Sequence, residues 1–435
     1  YAVTAIGIAV LVIRVVCFKK YLHAKGLFLL IAFCGSYALS ALLTRQYGLS
    51  ENAKALVWMA FQYFILYTYD TTSDGTAEKK EFYIISHFFM AYTFLAVAAG
   101  TVMLFTDYYS YTEVNGVVVI LGFLWNRLWG VYSDPNYGAV FSAITVIMSL
   151  YFYKDAKKPL KVLYIINIVL QICYIAFSDS RTGMVSLFCA LLVYVYLTAL
   201  RSKKLETKKA FARGVICVLL AITAAVASFA AIKVVSVSTS AFKKWQYEHI
   251  ISSDKDKTEA QKEKDKQKLE IGRQSNDING DVSNRRFAIW GSGLEIFKTK
   301  PLTGVTFRNY VPYAEDKLPD TYIVHNDFDK FRSMHNSFVD ILVSQGILGV
   351  VIIAAYIILV LVLIFKNFFK FKGEKYKYNT ALLSIIAPIF ASMMFYSETF
   401  YMNTGGAFLF WLALGYLIQS VTSKNSETKE ITPGK

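Results

Sequence analysis

Long apolar blocks separated by short polar gaps dominate the chain, and several blocks are nearly free of charge. A helix of about 20 apolar residues crosses the ~30 Å hydrocarbon layer of a bilayer. The pattern therefore predicts an all-α polytopic membrane protein with eleven spans. The predicted spans are 2–17, 27–43, 55–69, 83–106, 137–153, 162–177, 183–200, 214–235, 336–365, 380–396 and 405–421.

The start of the chain does not have the pattern of a secretory signal peptide. Such a peptide carries its basic residues before the apolar block, whereas Lys19 and Lys20 follow the first block here. The chain also opens with Tyr1 rather than Met. We therefore expect residues upstream of Tyr1, which would accommodate a twelfth helix.

The basic residues are distributed unequally between alternate polar gaps: 23 Lys and Arg residues lie in one set and 4 in the other. Because basic residues concentrate in cytoplasmic loops, the first set is predicted to be cytoplasmic. It comprises 18–26, 70–82, 154–161, 201–213, 366–379 and 422–435, and the outer set comprises 44–54, 107–136, 178–182 and 397–404. The net charge of +15 thus reflects topology in a lipid bilayer and gives no support to nucleic-acid binding.

This topology divides the chain into three predicted parts. They are an N-terminal transmembrane bundle (1–235), one large extracytoplasmic loop (236–335), and C-terminal helices with a cytoplasmic tail (336–435). The apolar run 117–125 resembles a further span, but a crossing there would put the basic gap 154–161 outside. We therefore predict that 107–136 stays external, with its apolar run re-entrant or lying on the membrane surface.

The large loop contains two contrasting segments. Residues 254–270 carry 12 charges in 17 positions, which is typical of a solvated helix or a mobile excursion. Residues 285–300 have apolar side chains at helical spacing, namely Phe287, Trp290, Leu294 and Phe297. This spacing predicts an amphipathic helix that packs on the bundle or on the bilayer surface and ends at Pro301.

Arg181 is the first candidate for chemistry, in a predicted five-residue gap between two spans, 178–182. An ordinary charge at a helix end is the simpler interpretation. A short gap would, however, hold its guanidinium at the outer face of the bilayer. There its five donors would suit a lipid-linked phosphate.

Arg285 and Arg286 open the amphipathic helix of the loop. A solvated pair is the simpler interpretation, but two or three arginines converging on a diphosphate would neutralise it without a metal. Two other patterns have the spacing of a two-carboxylate metal site for a nucleotide sugar, namely Asp254-x-Asp256 and Asp327-x-Asp329. Patterns this short are common by chance in charged loops.

His335 directly precedes Asn336 and Ser337, either of which could cap the following helix. One interpretation is a histidine hydrogen-bonded to backbone beside the cap. The other is a general base, because the positive end of the helix dipole disfavours the imidazolium form. A neutral imidazole can accept the proton of a sugar hydroxyl.

Four further sequence patterns are 127–136 (RLWGVYSDPN), 180–183 (SRTG), 286–290 (RFAIW) with 301–304 (PLTG), and 335–336 (HN) with 346–349 (GILG). Together they resemble the O-antigen ligase and O-antigen polymerase superfamily of bacterial membrane glycosyltransferases. Their order and the single large external loop before the last helices also fit this superfamily. One departure is that Val305 and Thr306 follow Gly304, so the family's Pro-Leu-x-Gly-x-Gly pattern lacks its second glycine.

The resemblance implies a GT-C-like fold and a metal-independent, inverting transfer of glycan from undecaprenyl diphosphate to an acceptor hydroxyl, without a cofactor. Arg181 and Arg286 would bind the diphosphate, Arg285 could replace Arg286, and His335 would be the base. The other predicted substrate-binding residues are Arg127, Asp134, Asn136 and Asn336.

The predicted function is a Wzy-type polymerase of capsular polysaccharide or O-antigen, in the bacterial cytoplasmic membrane with an outward-facing site. Lipid-linked oligosaccharide would be donor and acceptor, and a chain-length regulator and a flippase would be partners. The nearest alternative is a ligase that transfers glycan to lipid A core, wall polymer or protein. A RodA-type peptidoglycan polymerase is another. A polysaccharide flippase or transporter is disfavoured because Asp340 is the only clear acid in the predicted spans.

Overall fold

The computed structural model describes residues 2–17, 19–114, 117–251, 271–272, 283, 285–326 and 330–423. Each of the eleven predicted spans overlaps a helix in this structure. The helices are α1 (Ala2–Cys17), α2 (Leu27–Leu43), α3 (Leu49–Phe61), α4 (Thr76–Phe105), α5 (Pro135–Tyr153), α6 (Lys158–Ser178), α7 (Arg181–Leu200), α8 (Lys203–Glu206), α9 (Ala210–Gln246), α10 (Arg286–Thr299), α11 (Tyr310–Lys317), α12 (Ser337–Asn367), α13 (Gly373–Ser392) and α14 (Gly405–Thr422).

Seven helices of the described part of the chain are long and apolar enough to cross a membrane: α4, α5, α6, α7, α9, α12 and α14. α1 and α2 are apolar but shorter. The predicted span 55–69 corresponds to α3 and the π-helical turn Gln62–Leu66, and the predicted span 380–396 corresponds to α13, which contains Pro388. The structure confirms the predicted all-α polytopic membrane protein.

The segment 107–136 contains an element that the sequence did not lead us to expect, a three-stranded antiparallel sheet in the order β1-β2-β3. Its strands are β1 (Tyr109–Val114), β2 (Val117–Leu124) and β3 (Arg127–Gly130). The apolar run expected to be re-entrant or surface-lying is therefore mostly β2. Its run of β-branched residues, Val117 to Ile120, favours a strand over a helix.

The chain divides into two compact units. The first unit contains Tyr1–Tyr83, Arg285–Leu382 and Met393–Lys435, and the second contains Ile84–Asn284 and Leu383–Ser392. α4 and α13 contribute residues to both units.

The first unit has an aromatic core. Trp411 is fully buried, and its ring centre lies 4.6 Å from that of Tyr63 in an edge-to-face contact. Phe33 stacks on Tyr401 with 6.1 Å between ring centres. Such pairs add stability beyond the area that they bury.

Helix α12 of this unit is interrupted at Gly346, whose φ of 61° and ψ of −158° are not helical. The loop 301–306 fills the interruption with its own backbone. The four hydrogen bonds are Val305 N–H to Val343 O (2.9 Å), Thr306 N–H to Ser344 O (2.9 Å), Ile347 N–H to Pro301 O (2.8 Å) and Leu348 N–H to Leu302 O (3.2 Å). Irregular backbone within a membrane protein is tolerated where the protein satisfies it in this way.

Two glycines permit this close pairing. A Cβ on Gly304 would lie 2.4 Å from the carbonyl oxygen of Val343, and a Cβ on Gly346 would lie 2.5 Å from that of Pro301. Thr306, where the family pattern has glycine, also has a left-handed backbone with φ 65° and ψ 151°. Thr306 therefore adopts a positive φ without being glycine, a conformation that costs a non-glycine residue about 1–3 kcal/mol.

The predicted amphipathic helix is α10, but its buried side differs from the expected one. The buried residues are Ile289, Ser292, Gly293 and Ile296, while Trp290 and Phe297 are half-buried and Phe287 and Leu294 are exposed. The reason is steric: a Cβ on Gly293 would lie 3.3 Å from side-chain atoms of Val339 and Val343 on α12. The small residues therefore let α10 approach α12, and packing of Phe287 and Leu294 on a bilayer stays a prediction.

The core of the second unit is formed by α4, the sheet, α5, α6, α7 and α9. α5 and α7 cross at close range, since a Cβ on Gly183 would lie 2.3 Å from that of Ala139. α9 continues beyond the predicted span end at 235. In this extension Lys243 is buried, pairs with Asp107 and lies 4.2 Å from the ring centre of Phe123.

Candidate active site

The predicted site residues form two sets, one in each unit. Arg127, Asp134, Asn136 and Arg181 belong to the second unit, and Arg285, Arg286, His335 and Asn336 belong to the first.

Arg181 follows a very short connection between two helices. Only Asp179 and Ser180 separate α6 from α7, fewer residues than the predicted gap. Asp179 has a left-handed backbone with φ 44°, and the Ser180 hydroxyl oxygen accepts a hydrogen bond from the Gly183 N–H at 3.0 Å. Arg181 is therefore the first residue of a capped helix, and its side chain is exposed.

Asn136 ties this turn to the segment after the sheet. Its side-chain oxygen accepts from the Ser180 hydroxyl at 2.7 Å and from Nη2 of Arg127 at 3.3 Å. Nε of Arg127 donates to the carbonyl of Ser178 at 2.7 Å. The structure thus brings Arg127 and Asn136 together beside the turn that precedes Arg181.

Within the protein, Arg127, Asp134 and Asn136 make hydrogen bonds that hold the turn before Arg181 and the start of α5. The Asp134 carboxylate caps α5 by accepting from the Asn136 N–H at 2.6 Å. Arg181 differs, because it adds a full positive charge to a helix start that already carries partial positive charge. This placement opposes helix stability but favours a bound anion. Direct substrate binding by Arg127, Asp134 and Asn136 stays a prediction.

His335 lies immediately before α12 and has a left-handed backbone with φ 48°. Histidine is among the residues that adopt this region more readily. Its half-buried imidazole lies 6.1 Å, centre to centre, from the rings of both Phe331 and Tyr396. The two flanking rings restrict the orientation of the imidazole.

Hydrogen bonds to the preceding residue, Met334, hold the turn that carries His335. The buried carboxylate of Asp340 accepts from the Met334 N–H at 2.9 Å. Nε1 of Trp290, on α10, donates to the Met334 carbonyl at 2.9 Å. Tyr310 donates to the Asp340 carbonyl at 2.9 Å, and burial raises the pKa of Tyr310 well above its ordinary value, so that it stays a neutral donor.

Asn336 is the cap of α12. Its side-chain oxygen accepts from the N–H groups of Phe338 at 2.9 Å and Val339 at 3.2 Å, and its Nδ2 donates to the Met394 carbonyl at 3.1 Å. Both polar atoms of its amide are therefore engaged within the protein. A substrate-binding role for Asn336 stays a prediction.

Arg286 begins α10 and is half-buried, with its guanidinium carbon 5.6 Å from the ring centre of Phe395. Phe395 adjoins Tyr396, whose ring flanks His335. The structure thus brings Arg286 and His335 to one short segment of the first unit. Arg285 precedes the helix with a left-handed backbone, φ 68°, and is exposed.

The contacts by which Trp290 and Asp340 position the His335 turn were not predicted from the sequence. Trp290 was assigned to an apolar helix face, and Asp340 was noted as a rare acid within a predicted span. The available signal was the spacing of Asp340, four residues after the cap Asn336 and therefore one helical turn away.

Among the described residues, no group of three or more His, Cys, Asp or Glu side chains is arranged to hold a metal ion. The patterns Asp254-x-Asp256 and Asp327-x-Asp329 lie outside the described residues, as does the charged segment 254–270.

Residues 166–354, a little less than half of the chain, match the family model described as O-antigen ligase, Wzy_C. The matched range includes Arg181, Arg286 and His335. No curated protein matches the chain. The match indicates a glycosyltransferase-like enzyme of O-antigen ligase or polymerase type in an integral membrane protein. Residues 166–354 are therefore similar to the O-antigen ligase family.

Proposed function

We propose that this protein is a polymerase that joins undecaprenyl-diphosphate-linked repeat units into capsular polysaccharide or O-antigen. The growing chain moves from one lipid diphosphate to the sugar end of the next lipid-linked unit. One arrangement of side chains carries the proposal. His335 is held at the start of α12 with the ring of Tyr396 beside it, and Arg286 lies over the ring of the adjacent Phe395.

In the proposed reaction, the acceptor hydroxyl oxygen attacks the anomeric carbon of the donor glycan. The bond between that carbon and the diphosphate oxygen breaks with inversion, and the lipid diphosphate leaves with the electron pair. His335 takes the proton of the hydroxyl. A positioned general base typically contributes about 10²–10⁴-fold to the rate.

The diphosphate needs positive charge, and guanidinium groups supply it in this proposal without a metal or a cofactor. Arg286 is half-buried, which strengthens its interaction with an anion, and its planar fork can contact two phosphate oxygens. Arg181 is assigned the same chemistry from its own unit, where it extends from a capped helix start.

The test uses purified protein in lipid nanodiscs, lipid-linked repeat units and EDTA, with the products separated by length on a gel. Wild-type protein should give a ladder, whereas His335→Gln should leave single units. His325→Gln is the matched control, since His325 is exposed and belongs to the same loop, and it should give the wild-type ladder.

Two results would contradict the proposal. A normal ladder from His335→Gln would remove the histidine from catalysis. Transfer of one unit to lipid A core, wall polymer or a protein, with no ladder, would identify a ligase that uses the same base with another acceptor. The family match does not favour a flippase as the function of this chain. A separate flippase would instead be a partner that delivers lipid-linked units, and a chain-length regulator would be a second partner.

The outward orientation of the site in the cytoplasmic membrane is also a proposal, supported by the unequal distribution of basic residues. In a protein without its native cysteines, Asp320→Cys should react with an impermeant thiol reagent on spheroplasts. Lys157→Cys should react only after permeabilisation. Both positions are exposed, so the side of the membrane decides their labelling. Labelling of position 157 from outside would reverse the proposed topology.

A further inference from the structure

The turn between β2 and β3 contains an unusual residue for its backbone conformation. Trp125 and Asn126 both have left-handed backbones, with φ of 52° and 58°. A two-residue turn with positive φ at both positions is a type I′ turn, in which Asn and Gly are the usual residues. A bulky aromatic residue is strained there, so the needs of the turn do not explain Trp125.

Burial does not compensate for this strain, because Trp125 is 62% exposed. Its ring centre lies 6.3 Å from that of Tyr111 and 5.9 Å from that of Trp129, both in edge-to-face contacts. Tyr109, two residues before Tyr111 on β1, is 60% exposed. We call these four rings, Trp125, Trp129, Tyr109 and Tyr111, the aromatic patch.

Polar groups accompany the rings. Side chains alternate along a strand, so Tyr109, Tyr111 and Glu113 share one face of β1. Asn126 lies beside Trp125 in the turn, which supplies an amide next to the most exposed indole. A sugar ring presents a flat apolar C–H face and a rim of hydroxyl groups, and rings interspersed with a carboxylate and an amide match both features.

The patch is continuous with the segment that precedes Arg181. Arg127 follows the turn directly and bonds to Ser178 and Asn136. The Trp129 carbonyl accepts from the Tyr174 hydroxyl at 3.1 Å, which fixes β3 to α6. A ligand on the patch would therefore lie on the segment that carries Arg127 and Asn136, beside the turn that precedes Arg181.

We propose that the aromatic patch binds a sugar ring of the lipid-linked glycan, with Trp125 as its principal stacking surface. The inference rests on the proposed function and names the part of the substrate that this unit recognises. A membrane interface also enriches Trp and Tyr, but it would not select for a strained Trp in a tight turn beside an amide.

The experiment separates the strain of Trp125 from its binding role. Asn tolerates the left-handed backbone, so Trp125→Asn should raise the apparent Tm by about 2 °C. The probe is oligosaccharide released from the cell's own surface polysaccharide by mild acid, titrated into nanodisc-embedded protein by calorimetry. Trp125→Asn should weaken its binding about tenfold, or about 1.4 kcal/mol, and Trp125→Tyr should retain most of the affinity. Trp245→Gln is the control, because Trp245 is an exposed tryptophan on α9.

Wild-type affinity in Trp125→Asn would overturn the inference. A second measurement addresses the membrane alternative: the part of the fluorescence that Trp125→Asn removes should be quenched by acrylamide. Quenching by brominated acyl chains instead would identify a membrane anchor and also overturn the inference. Binding needs no transfer step, so reduced binding by Trp125→Asn together with an active His335→Gln would leave this site standing and reject only the proposed base.

Discussion

The starts of α7 and α12 are built alike but present their candidate functional residues differently. In each, a non-glycine residue with a left-handed backbone, Asp179 (φ 44°) or His335 (φ 48°), is followed directly by a capping residue. At α7 the candidate, Arg181, comes after the cap and is exposed. At α12 the candidate, His335, is itself the left-handed residue and lies between two rings.

The difference matches the two kinds of chemistry. Charge neutralisation tolerates a flexible side chain on a fixed backbone, because an electrostatic attraction varies gradually with distance. Proton transfer requires the accepting nitrogen within hydrogen-bond reach of the proton. The structure confines the imidazole of His335 and leaves the guanidinium of Arg181 on an exposed, capped helix start.

The largest expected effect comes from exchanging the two left-handed residues for glycine. Both variants keep the turn, since glycine adopts positive φ readily. His335→Gly removes the base and should lower the polymerisation rate by about 10²-fold or more. Asp179→Gly leaves Arg181 in place and should stay within about twofold, as judged from initial rates per folded protein. Equal losses from the two variants would show that the turns, rather than the imidazole, matter.

The second effect concerns guanidinium geometry. Arg181→Lys keeps the charge but loses the two-pronged contact with phosphate, so the rate should fall about 30-fold, or about 2 kcal/mol. Arg201→Lys, at the other end of α7, is the control and should be silent. The rates are measured with lipid-linked units at saturation. An unchanged rate in Arg181→Lys would assign Arg181 to simple charge balance or to no role.

A smaller effect is expected at Asp340, which positions the His335 turn. Asp340→Ala leaves the buried Met334 N–H without its acceptor and should reduce the rate about tenfold, in line with about 1–3 kcal/mol for an unsatisfied buried donor. Asp340→Asn keeps an oxygen at this position and should restore most of the rate. Tm measurements on both variants separate positioning from misfolding: equal Tm values with unequal rates support positioning, and a rate that simply follows Tm contradicts it.

The smallest expected effect is that of relieving backbone strain at a residue with no proposed role in catalysis. Thr306 has a positive φ in the loop 301–306, and Thr306→Gly should stabilise the fold by about 1 kcal/mol with no change in rate. Thermal unfolding measures the expected stabilisation. A lower Tm in Thr306→Gly would contradict it, and would mean that the buried Thr306 side chain stabilises the fold by more than its strained backbone destabilises it.

Much of the fold could be predicted from the sequence. Apolar length located a helix for every predicted span, whereas the charge asymmetry argued only against a membrane crossing at 117–125 and did not predict the strand that lies there. Periodicity and charge do not encode the pairing of short segments, however. The patterns at 301–304 and 346–349 were recognised separately. In the structure, four backbone hydrogen bonds join the two segments, and Gly304 and Gly346 each pack against the backbone of the opposite segment.

The candidate site could be predicted only in part. Asn336 was expected to be a possible cap because its type and position suit one, and the tight connection before Arg181 was expected from its length. The bond from Trp290 to Met334 joins residues 44 positions apart, and local patterns do not specify such contacts. For the same reason, the contact of Arg286 with Phe395 was not foreseen.

The interruption of α12 also has a consequence for depth in the bilayer. The 21 residues after Gly346, 347–367, form a helical rod of about 31 Å, long enough to cross the ~30 Å hydrocarbon layer without help from the preceding residues. Residues 337–345, with the polar side chains of Asp340, Ser344 and Gln345, are then free to stand at headgroup level. On the proposed function, the hydrophilic glycan reaches His335 from water while only its lipid tail stays in the hydrocarbon layer.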